Sequence, residues 1–200
     1  AGLAVWAAHE ALNGASGRET PFSLGRPPGH HAVVDDAMGF CFFNNAAVAA
    51  QSVIDAGDAT RVAIFDWDVH HGNGTQDIFY DREDVMYISI HESGLYPDTG
   101  ALKEIGRGAG EGTTVNLPLA AGAGNEDYLY GIDAVIAPAI EQFAPDLLIV
   151  SAGFDAHRHD PISRMRISTE GYALLTERVR ATGDTADADV AAGGALIKGG

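Results

Sequence analysis

Three apolar stretches each run into residues able to bind a cation or move a proton. Residues 61–65 lead into Asp66-Trp-Asp-Val-His-His71, residues 85–90 contain Ser89 and end at His91, and residues 146–150 lead into Ser151-Ala-Gly-Phe-Asp155. Asp68 and His70 stand two positions apart, so in an extended segment both side chains leave the same face, where a carboxylate and an imidazole can share one cation. Asp155, at a separate strand end, can supply a third ligand. Two carboxylates and one imidazole with an open fourth position are compatible with a catalytic zinc site, where the metal acidifies water and polarises a carbonyl, although spacing alone is not specific to it. Asp66 lies on the same alternation, though its role need not be metal binding. A second pair, His30-His31, sits in the Gly/Pro-rich loop of residues 25–31. It reads as a surface pair, a metal-binding tract, or acid and base groups: in metal-assisted hydrolysis one imidazole accepts a proton from water and another protonates the departing amine. Each would need a partner that fixes its tautomer, a part open to Asp66 and Asn73. Taken singly, an Asp after a strand is better explained as a helix cap or turn residue. Convergence of several at one edge of a sheet is what favours a site.

The elements that would bring them together can be read from apolar spacing. Residues 61–65, 85–90 and 146–150 are nearly continuous apolar runs, which suits strands covered on both faces. Helical spacing is seen over residues 1–13, 44–54 (with Asn44 or Asn45 near its start and Gly57 after it) and 126–143, and Phe22-Ser-Leu24 is a short apolar stretch. Strands alternating with helices predict an α/β fold with an open parallel sheet flanked by helices, in which ligands bind beyond the carboxyl ends of the strands. Residues 1–180 read as one domain. Residues 181–200 are rich in Ala, Gly and Asp, lack apolar periodicity until Ala195-Leu-Ile, and read as a divergent tail.

Composition narrows the function classes. The 200 residues carry 28 Asp and Glu against 12 Lys and Arg, a formal charge of −16, with only two lysines, Lys103 and Lys198. A uniformly acidic surface of this kind suits a protein kept soluble at high salt, disfavours direct nucleic-acid binding and welcomes a cationic substrate. The single cysteine, Cys41, excludes an internal disulfide framework and a Cys-rich zinc site. No apolar run reaches bilayer length and no basic-plus-apolar leader opens the chain, so the expectation is a cytoplasmic protein without a membrane span.

Read together, Arg26-Pro-Pro-Gly-His-His-Ala32, Gly39-Phe-Cys41, Asp66-Trp-Asp-Val-His-His-Gly-Asn-Gly-Thr75, Tyr96-Pro-Asp-Thr-Gly100 and Ser151-Ala-Gly-Phe-Asp-Ala156 resemble the zinc-dependent histone deacetylase family, in wording closest to class II and the acetylpolyamine amidohydrolase relatives. The resemblance covers residues 1–180. It implies an arginase/deacetylase-like three-layer fold, here incomplete at both ends, and hydrolysis of acetyl groups from acetyl-lysine in proteins or from acetylated polyamines. By position it implies Asp68, His70 and Asp155 as zinc ligands, and His30 and His31 as the tandem histidines, with His31 as the base toward the catalytic water. Asp66 stands behind His30 and Asn73 behind His31. Gly39 and Phe40 match one wall of the acyl-lysine channel and Tyr96 the opposite aromatic wall. Potassium sites are implied at Asp66, Asp68, His70 and Ser89 near the zinc, and around Phe79 and Val85.

The family also carries a Gly-Gly-Tyr-type motif near its C-terminal end, whose tyrosine bonds the substrate carbonyl. Here the chain reads Gly193-Gly-Ala-Leu-Ile-Lys-Gly-Gly200, and no tyrosine follows Tyr172, itself expected to serve packing. The expectation is therefore a central fragment of the family's domain. Alongside the amidohydrolase stand a catalytically silent acetyl-amine-binding fragment, a truncated product without function, and an arginase-like manganese hydrolase, which would need more carboxylates.

Overall fold

The computed structural model describes residues 1–14 and 20–194. Its strands are β1 (Phe22–Leu24), β2 (Val62–Asp66), β3 (Val85–Glu92), β4 (Thr114–Leu119), β5 (Leu147–Ala152) and β6 (Asp189–Gly194). They form one sheet in the order β1-β6-β5-β2-β3-β4, parallel at every pairing. The helices are α1 (Gly2–Asn13), α2 (Asn45–Ala56), α3 (Asn73–Phe79), α4 (Asn125–Gly131), α5 (Ala137–Phe143) and α6 (Thr169–Ala186).

Every residue of β2 and β3 is buried, which is why their sequences are apolar without alternation. Successive side chains serve two different cores. Ala63 and Phe65 pack with Tyr128, Ile132, Ile140 and Leu175 from α4–α6, whereas Val62 and Ile64 pack with Ala47, Ala50, Val53 and Phe79 from α2 and α3. Helices thus cover both faces, giving three layers, and each fully buried Ile or Phe contributes about 1.5–3 kcal/mol. Asn44 caps α2, its Oδ1 accepting from the Ala47 N–H at 3.1 Å, and Gly57 closes the helix with φ +75°. The predicted helix over 126–143 runs through consecutive helical segments but widens into a π turn at Ile132–Ile136. Pro138 lies just beyond and has no N–H to give, and its ring would crowd the carbonyl four residues back.

Residues 181–194, expected as a tail, belong to the fold. The first six complete α6, and Asp189–Gly194 form β6 between β1 and β5. The small residues are a packing requirement: a Cβ on Gly194 would lie 2.7 Å from the Ala152 carbonyl oxygen, and one on Gly183 would lie 2.4 Å from Val190. Ala195-Leu-Ile lies outside the described residues. β4 gave no strand signal because Pro118 interrupts it, which an edge strand tolerates. Among the described residues no helix is long and apolar enough to cross a membrane.

From β2 the chain crosses to β3 on one side, and from β5 to β6 on the other. The switch point therefore lies between the adjacent strands β2 and β5, where open parallel sheets bind ligands. Asp66 and Ser151 are in register there.

Candidate active site

Past the end of β2 the backbone bends, and carboxylates hold the bend by accepting backbone hydrogen bonds. Asp66 Oδ1 accepts from the Asp68 N–H at 3.2 Å, and Asp68 Oδ1 from the His70 N–H at 2.8 Å. Asp68 and His70 meet through this turn and not through extended alternation, which corrects the reason drawn from their spacing. Asp155 follows β5, and its Oδ1 accepts from the Val69 N–H at 2.9 Å, tying the two strand ends together. His70 Nδ1 then lies 3.0 Å from Asp68 Oδ1 and 3.0 Å from Asp155 Oδ2. A Cβ on Gly153 would fall 2.2 Å from Asp68 Oδ2, so only glycine leaves that carboxylate its place.

Among the described residues, Asp68, His70 and Asp155 form a group able to hold a metal ion, their donor atoms within 4.8 Å of one another. Its electrostatics call for a cation. Burial opposes a charge on His70, yet the hydrogen bonds and negative charges of Asp155 and Asp68 raise its pKa to about 10. Burial and the facing Asp68 carboxylate push Asp155 up from the usual range. Two partly buried carboxylates and an imidazole nitrogen aimed at one point fit a divalent ion.

The tandem histidines come from the 29–44 loop. The first turn of α3 anchors it, with Gly74 and Thr75 N–H donating to the His30 carbonyl at 3.0 and 3.2 Å. Asn44 Nδ2 also donates to the Ala32 carbonyl at 3.2 Å. His30 Nδ1 donates to Asp66 Oδ2 at 2.8 Å, whereas His31 Nδ1 meets Asn73 Oδ1 at 2.8 Å. Their surroundings separate two neighbouring imidazoles. For His30, burial is outweighed by Asp66 and Asp68, raising its pKa to about 9. For His31, burial and the adjacent His30 lower it to about 3, against the pull of the Asn73 bond. A neutral His31 with its Nδ1 proton on Asn73 keeps a lone pair on Nε2.

A cavity of 1140 Å³ opens over these groups, lined by His30, His31, Gly39, Phe40, Asp68, His70, Tyr96 and Asp155 among others. Phe40, at φ +62°, and Tyr96 are both exposed at its walls. Tyr96 stands edge-on to His31, ring centroids 5.1 Å apart. Gly39 closes against His31 so tightly that a Cβ would lie 2.2 Å from the ring. Ser89 is buried on β3 in register with Asp66. Phe79 and Val85 are core residues, and Val85 pairs with Val62, about 13 Å down the strand from Asp66. His71 and His91, two further buried histidines behind the site, carried no signal in the sequence beyond adjacency to His70 and a strand end.

The histone deacetylase domain, as a family model, matches residues 1–196. The chain belongs to the histone deacetylase family. It is 44% identical over 199 residues to a histone deacetylase-like amidohydrolase of Pseudomonas aeruginosa, covering 98% of this chain and 50% of that protein. Among solved structures, the HD domain of HDA15 superposes with a TM-score of 0.91 at 42% identity, covering 99% of this chain and 56% of that one. An acetylpolyamine aminohydrolase from Burkholderia pseudomallei gives 0.86 at 38% identity, covering 98% and 55%. This deacetylase-family chain spans about half the length of the relatives it matches.

Proposed function

We propose that the protein is a zinc-dependent amidohydrolase that removes acetyl groups from acetylated amines, either acetyl-lysine in proteins or acetylpolyamines. The observation that carries this reading is the convergence of Asp68, His70 and Asp155 beside His31, whose Nδ1 is committed to Asn73. Zinc, when bound by Asp68, His70 and Asp155, supplies Lewis acidity toward the acetyl carbonyl and water. The linear acylated amine enters between Phe40 and Tyr96, where aromatic walls exclude water from its alkyl chain. His31 Nε2 accepts a proton as the water oxygen bonds to the carbonyl carbon. His30, held cationic by Asp66, faces the negative charge that develops on the substrate. The C–N bond then breaks, the proton held by the histidine pair passes to the amine nitrogen, and acetate and amine leave.

The acidic composition suits either cationic substrate and supports a working environment of high salt. Potassium at Asp66, Asp68, His70 and Ser89, and at Phe79 and Val85, is part of the same proposal. So is a cytoplasmic setting. A second reading, an acetyl-amine-binding protein without turnover, draws on Tyr172. That residue packs against Phe154 and Trp67, and among the described residues it is not one of those lining the cavity.

Hydrolysis of an acetyl-lysine peptide and of an acetylated polyamine, at high salt with added zinc, tests the proposal beside an Asp155→Ala control. Turnover that the control abolishes supports the hydrolase. A folded, zinc-loaded protein that binds either amide without cleaving it supports the second reading.

A further inference from the structure

Behind the metal ligands runs a chain of hydrogen bonds that the proposed reaction does not use. Gln76 Nε2 donates to Glu104 Oε2 at 2.7 Å, which leaves Gln76 Oε1 to accept. It accepts from Asn116 Nδ2 at 2.7 Å and from His71 Nε2 at 3.0 Å. With its proton on Nε2, His71 must accept at Nδ1, and there it takes the Thr99 hydroxyl at 2.7 Å. The direction of the whole chain follows from Glu104, whose carboxylate can only accept. His91 is arranged likewise: Nε2 donates to the Gly100 carbonyl at 3.1 Å, and Nδ1 accepts from Ser89 Oγ at 2.9 Å. The two rings lie 4.9 Å apart. Gly100, at φ +82°, rests against both: a Cβ there would come within 2.5 Å of His71 and 2.7 Å of His91.

Two consecutive loop residues, Thr99 and Gly100, are therefore seated on two buried imidazoles. The same loop carries Tyr96, the wall of the cavity that stands edge-on to His31. His71 directly follows the metal-ligand position His70, and Gln76 lies on α3, which starts at Asn73, the partner of His31. We propose that His71 and His91 are positioning residues that clamp the 96–100 loop, hold Tyr96 against His31 and so set the bore of the acyl channel, favouring acetyl over bulkier acyl groups. This rests on the reading that the cavity admits acylated amines.

Thr99→Val removes the hydroxyl bond to His71 while keeping the side-chain shape, and Thr99→Ser keeps the bond. Thr99 is exposed, so neither change threatens the core. In the full zinc-loaded protein, acetyl and butyryl amides of one lysine peptide are compared, together with hydrogen exchange of residues 95–101. In Thr99→Val, loss of one hydrogen bond should raise KM for the acetyl amide roughly two- to ten-fold at nearly constant kcat. The acetyl-over-butyryl preference should narrow and loop exchange should quicken, with Thr99→Ser close to wild type on all three. An unchanged preference in Thr99→Val, with or without faster exchange, overturns the proposal. If the wild-type protein cleaves neither amide, the hydrolase reading fails on its own. The clamp is then judged by the same ratio in equilibrium binding of the two amides and by loop exchange.

Discussion

The two sides of the site are built differently. The metal side grows from the ends of β2 and β5, adjacent strands buried on both faces, and backbone N–H groups orient its carboxylates: His70 N–H holds Asp68, and Val69 N–H holds Asp155. The base side is a loop without a strand. It is fastened by the first turn of α3 on the His30 carbonyl, by Asn44 on Ala32, and by side-chain bonds to Asp66 and Asn73. On the metal side a short, rigid scaffold brings negative charges together and only a cation relieves them. On the base side, burial and the neighbouring His30 lower the His31 imidazole to about 3, while the carboxylates of Asp66 and Asp68 outweigh burial at His30 and raise it to about 9. Damage to the first should therefore act through metal content, and damage to the second should leave the metal in place.

The sharpest way to break that contrast is Asp155→Ala. Removing a ligand should strip zinc from the protein and, since Lewis-acid stabilisation is worth several kcal/mol, lower turnover about a thousand-fold or more. Zinc content by mass spectrometry with parallel kinetics checks it, and a variant that keeps full zinc would remove Asp155 from the ligand set. Next comes His31→Ala on the base side. Turnover should fall about a hundred- to ten-thousand-fold, the usual worth of a general base, with zinc content unchanged. Loss of zinc together with activity would erase the distinction between the two sides. Smaller again is Gly153→Ala, whose new Cβ has no room beside Asp68 Oδ2. It should weaken zinc binding by about ten- to a hundred-fold, as displacement of supporting groups commonly does. Competition with a chelator reads it out.

The two sides also differ in what the sequence discloses. β2, β3 and β5 are legible because burial on both faces demands uninterrupted apolar residues, and the cation-binding residue types stand at their ends. β6 is hidden because close approach to Ala152 and β1 demands Ala and Gly, which carry no periodicity. Asp68 and His70 are legible by type and spacing, but the turn that joins them depends on which backbone N–H each carboxylate accepts. Spacing does not encode that. On the base side, the residue types offered Asp66 and Asn73 as partners, but the pairing of His30 with Asp66 and of His31 with Asn73 spans 36 and 42 positions, so only the resemblance to a family assigned which served which. His71 and His91 are less legible still, since a buried histidine serving a loop and one serving a reaction look alike in sequence.

The smallest expected effect tests how the base-side loop is held. Asn44 is an N-cap for α2 through Oδ1, while its Nδ2 bonds the Ala32 carbonyl and Thr75 Oγ1 at 3.2 and 3.0 Å. Asn44→Ala should cost about 0.5–2 kcal/mol of stability through the lost cap. Asn44→Asp retains a capping oxygen but offers Ala32 no donor. If the loop is held partly through Asn44, Asn44→Asp should lose turnover several-fold with full zinc content while recovering most of the stability, as read by denaturant unfolding beside kinetics. If stability and turnover instead recover together, the α3 amides alone suffice to place the histidines. The base side would then be as rigid as the metal side, anchored by backbone groups on both.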